Sequence, residues 1–107
     1  MAATAAFYED VLGLALVRDQ GVCRVYATAP GAYLGFCARG YAVPSDVRVV
    51  LTLLVDDVAA AHAALVAAGG EAEGPPRHSD AFRCTSSFFR DPNGYLVELQ
   101  RFDEPLP

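Results

Sequence analysis

The chain has 107 residues, of which 53% are hydrophobic and 20% charged, and its formal net charge is −5. A chain of this size and composition forms one globular domain and is not disordered. Its eight basic residues are all arginine, which excludes mechanisms that need a lysine. An acidic chain without a basic stripe is a poor partner for nucleic acid and is better suited to a neutral or cationic ligand.

Membrane insertion and secretion are not expected from this sequence. No apolar run reaches the roughly 20 residues that a membrane helix needs. Residues 1–4 also lack the basic region of a signal peptide. We therefore expect a cytoplasmic protein that has no membrane partner.

Three cysteines, Cys23, Cys37 and Cys84, lie singly among apolar residues. Their odd number and the absence of a C-x-x-C spacing argue against a disulfide framework and against a zinc site. We interpret all three as small hydrophobic core residues.

The first part of the chain predicts one helix followed by three strands. The helix covers residues 3–12, carries an apolar stripe at i, i+4, i+8, and ends at Gly13, which favours a left-handed backbone. The strands follow at residues 14–18, 22–28 and 32–39, and a turn at residues 29–31 joins the last two.

The pattern restarts after a linker predicted at residues 41–46. Residues 48–55 form a nearly continuous apolar strand, which we expect to be covered on both faces. Asp56 or Asp57 caps the next helix, which Gly69-Gly70 ends. Three further strands are predicted at residues 71–78, 82–90 and 95–102, the first of them interrupted by Gly74-Pro75-Pro76.

The chain thus reads as a single domain, residues 1–107, built from two similar modules. Module 1 covers residues 1–40 and module 2 covers residues 47–104, with the linker between them. Module 2 has a strand before its helix, whereas module 1 lacks one.

The last hairpin contains an unexpected carboxylate. Asp91-Pro92-Asn93-Gly94 is a turn sequence between two β-prone runs. Side chains alternate along a strand, so Leu96, Glu98 and Gln100 share one face of the second strand. A carboxylate is costly to bury without a partner. Glu98 therefore lies either on a solvated face or in the wall of a cavity.

Pairing across this hairpin predicts the neighbours of Glu98. We expect Ser87 opposite Glu98 and Phe89 opposite Leu96, with an uncertainty of one residue in the register. The wall would then combine a hydroxyl, an aromatic ring and a carboxylate, which suits a flat ligand with a positive charge.

Three segments, in this order, resemble the vicinal oxygen chelate superfamily. They are Phe-Tyr-Glu-Asp-Val-Leu-Gly-Leu at residues 7–14, the helix 57–65 with its following Gly69-Gly70, and Asp-Pro-Asn-Gly-Tyr-Leu-Val-Glu-Leu at residues 91–99. Glyoxalase I, extradiol dioxygenases, fosfomycin-resistance enzymes and bleomycin-resistance proteins belong to this superfamily. The resemblance spans essentially the whole chain.

The resemblance implies an α+β fold of paired βαβββ modules, each curled into a half-open sheet around a cavity, with helices outside. The first strand of the first module is missing from this sequence. Either the gene lacks that strand, or the native start lies upstream and Met1 is an internal methionine. The family also implies a homodimer, because a second chain commonly completes the cavity.

The metal-dependent members place ligands at up to four positions, in the first and last strands of the two modules. Glu98 matches the ligand of the last strand. A second position falls on Gly35, or on Phe36 if the turn is one residue shorter. A third position falls near Val50. The fourth lies in the missing strand. Because a chelate site needs at least three protein donors, we expect no metal or other cofactor.

Three functions remain possible. The first is metal-free binding or sequestration of a small organic molecule, such as a cationic aromatic antibiotic, as in the bleomycin-resistance branch. The second is a lyase, isomerase or dioxygenase with one divalent metal ion bound by Glu98. The third is metal-free acid–base catalysis by Glu98 with Thr85, Ser87, Arg24 or Arg39. No catalytic residue is assigned. The residues expected to line the cavity are Glu98, Leu96, Gln100, Phe89, Ser87, Tyr33 and Val50.

Overall fold

The computed structural model describes residues 1–38 and 49–106. In these residues the fold is α+β, as predicted, with two β-sheets and two helical segments. The linker predicted at residues 41–46 lies outside the described residues. No helix in the described part of the chain is long and apolar enough to cross a membrane.

The N-terminal helix, α1, begins as an α-helix over Ala2–Ala5 and continues as a π-helix over Ala6–Val11. Gly13 follows with a φ of 73°, a left-handed conformation that glycine adopts without a steric penalty. The sequence prediction of a helix that ends at this glycine is confirmed.

The first sheet contains β1 (Ala15–Asp19), β2 (Cys23–Ala29) and β3 (Ala32–Cys37), paired antiparallel in chain order. Together with α1 these strands occupy the part of the chain that was predicted as module 1. The turn between β2 and β3 has Gly31 at a φ of 74°, as a tight hairpin turn requires.

The second sheet contains the strands β4 (Val50–Leu54), β5 (Glu71–Ala72), β6 (Arg77–Ser79), β7 (Cys84–Arg90) and β8 (Leu96–Phe102). The strand order is β4-β8-β7-β5, and β6 also pairs with β7. The parallel pair of β4 and β8 lies beside antiparallel pairs.

The helix α2 (Val58–Ala67) connects β4 to β5. The Asp57 carboxylate caps this helix by accepting a hydrogen bond from the Ala60 amide.

Both helices pack on the same face of the second sheet. Tyr8 of α1 packs with Tyr26 of β2 and Val97 of β8. Leu65 of α2 packs with Phe89 and Leu99. The core therefore lies between the sheets and the helices, and within residues 1–38 and 49–106 no helix packs on the opposite face of the second sheet.

The prediction that the strand at residues 48–55 is covered on both faces is wrong for this chain. Along β4 the burial alternates, and Val50 and Leu54 are 43% and 59% exposed. The helices cover only the face to which Leu51 and Leu53 belong. The apolar run reflects one core face and one open apolar face.

The interpretation of the cysteines is partly wrong. Cys84 is a buried free thiol, as expected. Cys23 and Cys37 are direct cross-strand partners on β2 and β3, and a disulfide joins them with their Cα atoms 4.0 Å apart. The odd number of cysteines concealed this pair because Cys84 is the one left over.

Candidate functional site

The open face of the second sheet holds the candidate site. In the register, Val50 lies beside Leu96, Thr52 beside Glu98, and Leu54 beside Gln100. On the other side of β8, Phe88 lies opposite Glu98. Directly paired residues point to the same side of a sheet. We call this surface the Glu98 face; it comprises Val50, Thr52, Leu54, Phe88, Leu96, Glu98 and Gln100.

Two neutral side chains orient the Glu98 carboxylate. The Thr52 hydroxyl donates to Oε1 over 2.8 Å, and the Gln100 amide donates to Oε2 over 3.3 Å. Glu98 is half-buried and Thr52 is exposed. A carboxylate oxygen has room for further hydrogen bonds beyond these, so this group is held in place and still accessible.

No arginine in the described part of the chain pairs with Glu98. Arg24 binds the Glu9 carboxylate instead, with Nη1 and Oε2 2.9 Å apart. The Tyr26 hydroxyl donates to the same Oε2 atom over 2.8 Å, on the side of the first sheet that faces α1. Arg39 and Arg48 lie outside the described residues. A structural ion pair of Glu98 with Arg24 is therefore excluded.

Ser87 and Phe89 do not lie on the Glu98 face. The structure pairs Ser87 with Leu99 and Phe89 with Val97, and all four side chains are at most 1% exposed. A shift of one residue in register moves every side chain of a strand to the other face. Phe88 takes the position opposite Glu98 that the sequence analysis assigned to Ser87.

The hydroxyl of Ser87 instead meets a histidine of α2. His62 Nδ1 and Ser87 Oγ are 2.6 Å apart, and the imidazole ring lies 5.3 Å from the Phe89 ring. Since Ser87 is buried under the helix, a substrate has no access to this pair. We interpret it as a polar contact that fixes α2 on the sheet, and no signal in the sequence marked it.

Replacement of Ser87 by alanine tests this structural role. We expect the free energy of unfolding to fall by about 1–2 kcal/mol, because His62 loses its buried partner. Ligand affinity should stay within twofold. Urea denaturation measures the first quantity, with Ser86→Ala, a half-buried position on the Glu98 side of the strand, as control. A loss of affinity without a loss of stability would contradict the assignment.

Tyr33 lies on a different surface from Glu98. It is 64% exposed on β3 of the first sheet, where its direct partner is Ala27. Gly35 shares this open side, whereas Phe36 packs on Tyr8 with ring centroids 4.3 Å apart. Of the two family positions considered for this strand, Gly35 is the one on the open side. The structure thus groups Val50, Leu96, Glu98 and Gln100, with Tyr33 on the other sheet.

The residues near Glu98 do not fit a chelated metal ion. Its neighbour on β4 is Thr52, and the matching position of the first sheet is Gly35, which has no side chain. Residues 1–38 and 49–106 contain no group of three or more histidine, cysteine, aspartate or glutamate side chains placed to hold a metal. One carboxylate and a hydroxyl are too few donors for a stable site.

The turn before β8 is fixed by a buried carboxylate. Asp91, 3% exposed, accepts hydrogen bonds from the Tyr8 hydroxyl at 2.9 Å and from the Tyr95 amide at 2.7 Å. The backbone amide of Asn93 donates a third hydrogen bond to this carboxylate over 2.9 Å. Burial raises the pKa of Tyr8 above its usual value, with Asp91 adding to the effect, so the phenol remains a donor. This turn attaches α1 to the strand that carries Glu98.

In the described residues, the helices thus cover one side of the two sheets, and the Glu98 face lies on the open side of the second sheet. The family model of the Glyoxalase/Bleomycin resistance protein/Dioxygenase superfamily matches residues 1–99. The chain therefore belongs to this superfamily.

Solved structures of other proteins have a fold similar to that of this chain. A glyoxalase-related enzyme from Fulvimarina pelagi is 26% identical, with a TM-score of 0.73 over 94% of this chain and 78% of the other. A glyoxalase/bleomycin resistance protein/dioxygenase from Nocardioides is 20% identical, with a TM-score of 0.76 over 99% of this chain and 79% of the other. No curated protein matches the chain.

Proposed function

We propose that this protein binds a small organic cation with a flat apolar body on the Glu98 face, without a metal ion. The observation that carries the proposal is the Glu98 carboxylate itself. It is half-buried in the middle of an open sheet face, and among the described residues only the neutral side chains of Thr52 and Gln100 donate hydrogen bonds to it. A carboxylate in this position attracts a cationic partner that replaces water.

Apolar side chains surround the carboxylate. Along β4 and β8, Val50 and Leu96 lie on one side of Glu98, and Leu54 lies on the other side. The half-buried Phe88 of β7 lies opposite Glu98. A good aromatic contact contributes on the order of 1 kcal/mol, and a charge-assisted hydrogen bond roughly 1.5–3 kcal/mol. With apolar burial added, micromolar affinity, about −8 kcal/mol, is within reach of this surface.

The experiment that tests the function is a calorimetric titration of the wild-type protein. The ligands are planar aromatic amidines, cationic antibiotics of similar size, and neutral isosteres of each. We expect micromolar dissociation constants for cationic members and at least tenfold weaker binding of the neutral isosteres. Equal affinity for both sets, or no binding of any cation, would contradict the proposal.

Elemental analysis of the purified protein separates this function from a metal-dependent lyase, isomerase or dioxygenase. We expect no stoichiometric transition metal, because the described residues offer Glu98 no further donor of the required kind. About one zinc, nickel, iron or manganese per chain that is lost in Glu98→Ala would reject the metal-free account. Metal that survives this substitution would be bound elsewhere.

We also propose that a second copy of the chain covers this face. The edge strand β4 exposes Val50 and Leu54, and Val49 beside it is 50% exposed. An apolar edge strand with free backbone groups favours pairing. The proposed assembly is a homodimer whose subunits complete each other's cavity, and we propose the cytoplasm as its location.

Light scattering tests the dimer. We expect a mass of two chains at micromolar concentration and a shift to one chain in Leu54→Arg. The control is Leu106→Arg, since Leu106 has nearly the same exposure, 58% against 59%, but lies beyond the last strand. A wild-type protein that is folded and monomeric would refute the dimer.

A further inference from the structure

The disulfide Cys23–Cys37 lies on the open side of the first sheet. Cys23 alternates with Arg24 and Tyr26, whose side chains point toward α1, so the disulfide points away from the helix. Cys37 is exposed and Cys23 half-buried. Two residues along β3, Gly35 has no side chain that could cover the sulfurs. Small molecules therefore have access to this bond.

A cleft of about 440 Å³ lies on the same open side of the first sheet as the disulfide. Val25, on the same side of β2 and two residues from Cys23, lines this cleft together with Val17, Arg18, Gln20 and Tyr33. Arg18 is the one charged residue in this lining, and no carboxylate in the described residues forms an ion pair with it. The cleft thus offers a cation and an exposed phenol ring to a small anion.

We propose that Cys23–Cys37 is a thiol–disulfide exchange site for low-molecular-weight thiols that carry a carboxylate. The carboxylate binds at Arg18, the body of the thiol packs in the cleft against Tyr33, and its sulfur reaches Cys37. This site is on the first sheet and is independent of the ligand proposed for the Glu98 face.

The exchange takes place in two successive thiolate attacks. A thiolate attacks the exposed Cys37 sulfur, the Cys23–Cys37 bond breaks, and Cys23 leaves as a thiolate that takes a proton from water. A second thiolate then attacks the ligand sulfur of the mixed disulfide and releases Cys37. Two thiols are oxidised to one small disulfide, and the protein disulfide is reduced to two thiols.

The test compares 3-mercaptopropionate with cysteamine, matched for thiolate concentration, at low ionic strength. Reduction of the disulfide in the native protein is measured by alkylation of the free thiols and intact-mass analysis. We expect two alkylated cysteines under native conditions, with the buried Cys84 modified only after denaturation. The net charge of −5 acts on both thiols in every variant, so the effect of Arg18 is measured as a change in the ratio of the anionic to the cationic rate. This ratio should fall about fivefold in Arg18→Gln and should stay within about twofold of the wild-type ratio in Arg101→Gln, which loses the same charge on the second sheet.

A second measurement tests whether Cys37 exchanges with a small disulfide, independently of any charge effect. Cys23→Ser leaves Cys37 alone, and this variant should form a mixed disulfide at Cys37 with 3,3′-dithiodipropionate, while circular dichroism confirms that it is folded. Reduction that occurs only as fast as global unfolding, or no mixed disulfide at Cys37, would overturn the exchange site. A rate ratio that is the same in Arg18→Gln as in the wild-type protein would overturn the role of the cleft.

Discussion

The substitution Glu98→Gln is expected to weaken binding of a cationic aromatic ligand about tenfold or more and to leave its neutral isostere almost unchanged. Glutamine keeps the length of the side chain and an oxygen that accepts from Thr52, which is 2.8 Å from the carboxylate. Only the charge is lost. A charge-assisted hydrogen bond contributes roughly 1.5–3 kcal/mol, and partial exposure of Glu98 places the effect toward the lower value.

Asp10→Asn is the matched control for the net charge. Asp10 is an exposed carboxylate on α1, so this variant loses the same charge far from the Glu98 face. Its affinity for the cation should stay within about twofold, because solvent screens exposed charges. A large drop in melting temperature of Glu98→Gln with unchanged affinity would show that the carboxylate is structural.

The largest effect on stability is expected for Asp91→Ala. The carboxylate is 3% exposed and accepts from the Tyr8 hydroxyl and from the amides of Asn93 and Tyr95. The substitution leaves these donors without a partner inside the protein. Since each unsatisfied buried group costs about 1–3 kcal/mol, we expect the free energy of unfolding to fall by about 3–5 kcal/mol.

Tyr8→Phe separates the parts of this network. It removes one donor and keeps the ring, which packs against Phe36 with centroids 4.3 Å apart. We expect a loss of about 1–2 kcal/mol in urea denaturation. A loss below 1 kcal/mol in Asp91→Ala would mean that water replaces the carboxylate and that the turn does not depend on it.

The secondary structure follows from local signals in the sequence. Gly13 ends the first helix, Asp57 caps the second, and Asp91-Pro92-Asn93-Gly94 joins the last two strands, because these residue types have few alternatives at such positions. The alternation in β8 also predicted that Val97 and Leu99 lie on the face opposite Glu98, and the structure shows that both are buried. These features depend on neighbouring residues only.

The register of the last hairpin depends on the length of its loop, which the turn sequence did not determine. Asp91 to Tyr95 form a five-residue loop, closed by the Asp91 amide bonding to the Tyr95 carbonyl over 2.9 Å, so Arg90 pairs with Leu96. The sequence analysis placed Phe89 opposite Leu96 and so turned Ser87 and Phe89 to the wrong face. Thr52 was missed for a related reason, since its contact with Glu98 depends on the parallel register of β4.

The disulfide could have been found from the turn. Cys23 and Cys37 lie at equal distance from Pro30, so a hairpin centred there places them opposite each other, as the structure does. Counting cysteines ignores this relation, whereas pairing the strands about their turn reveals it. Contacts between the modules, such as Tyr8 with Asp91, had no comparable signal.

Mapping of the ligand by backbone amide NMR tests the central claim most directly. The ¹⁵N-labelled protein is titrated with the cationic ligand that binds most tightly in calorimetry. We expect the largest shifts at the amides of Thr52, Glu98 and Gln100, and small shifts at Val58 and Leu65 of α2. Shifts centred on the helices, or on the first sheet with none at Glu98, would contradict it.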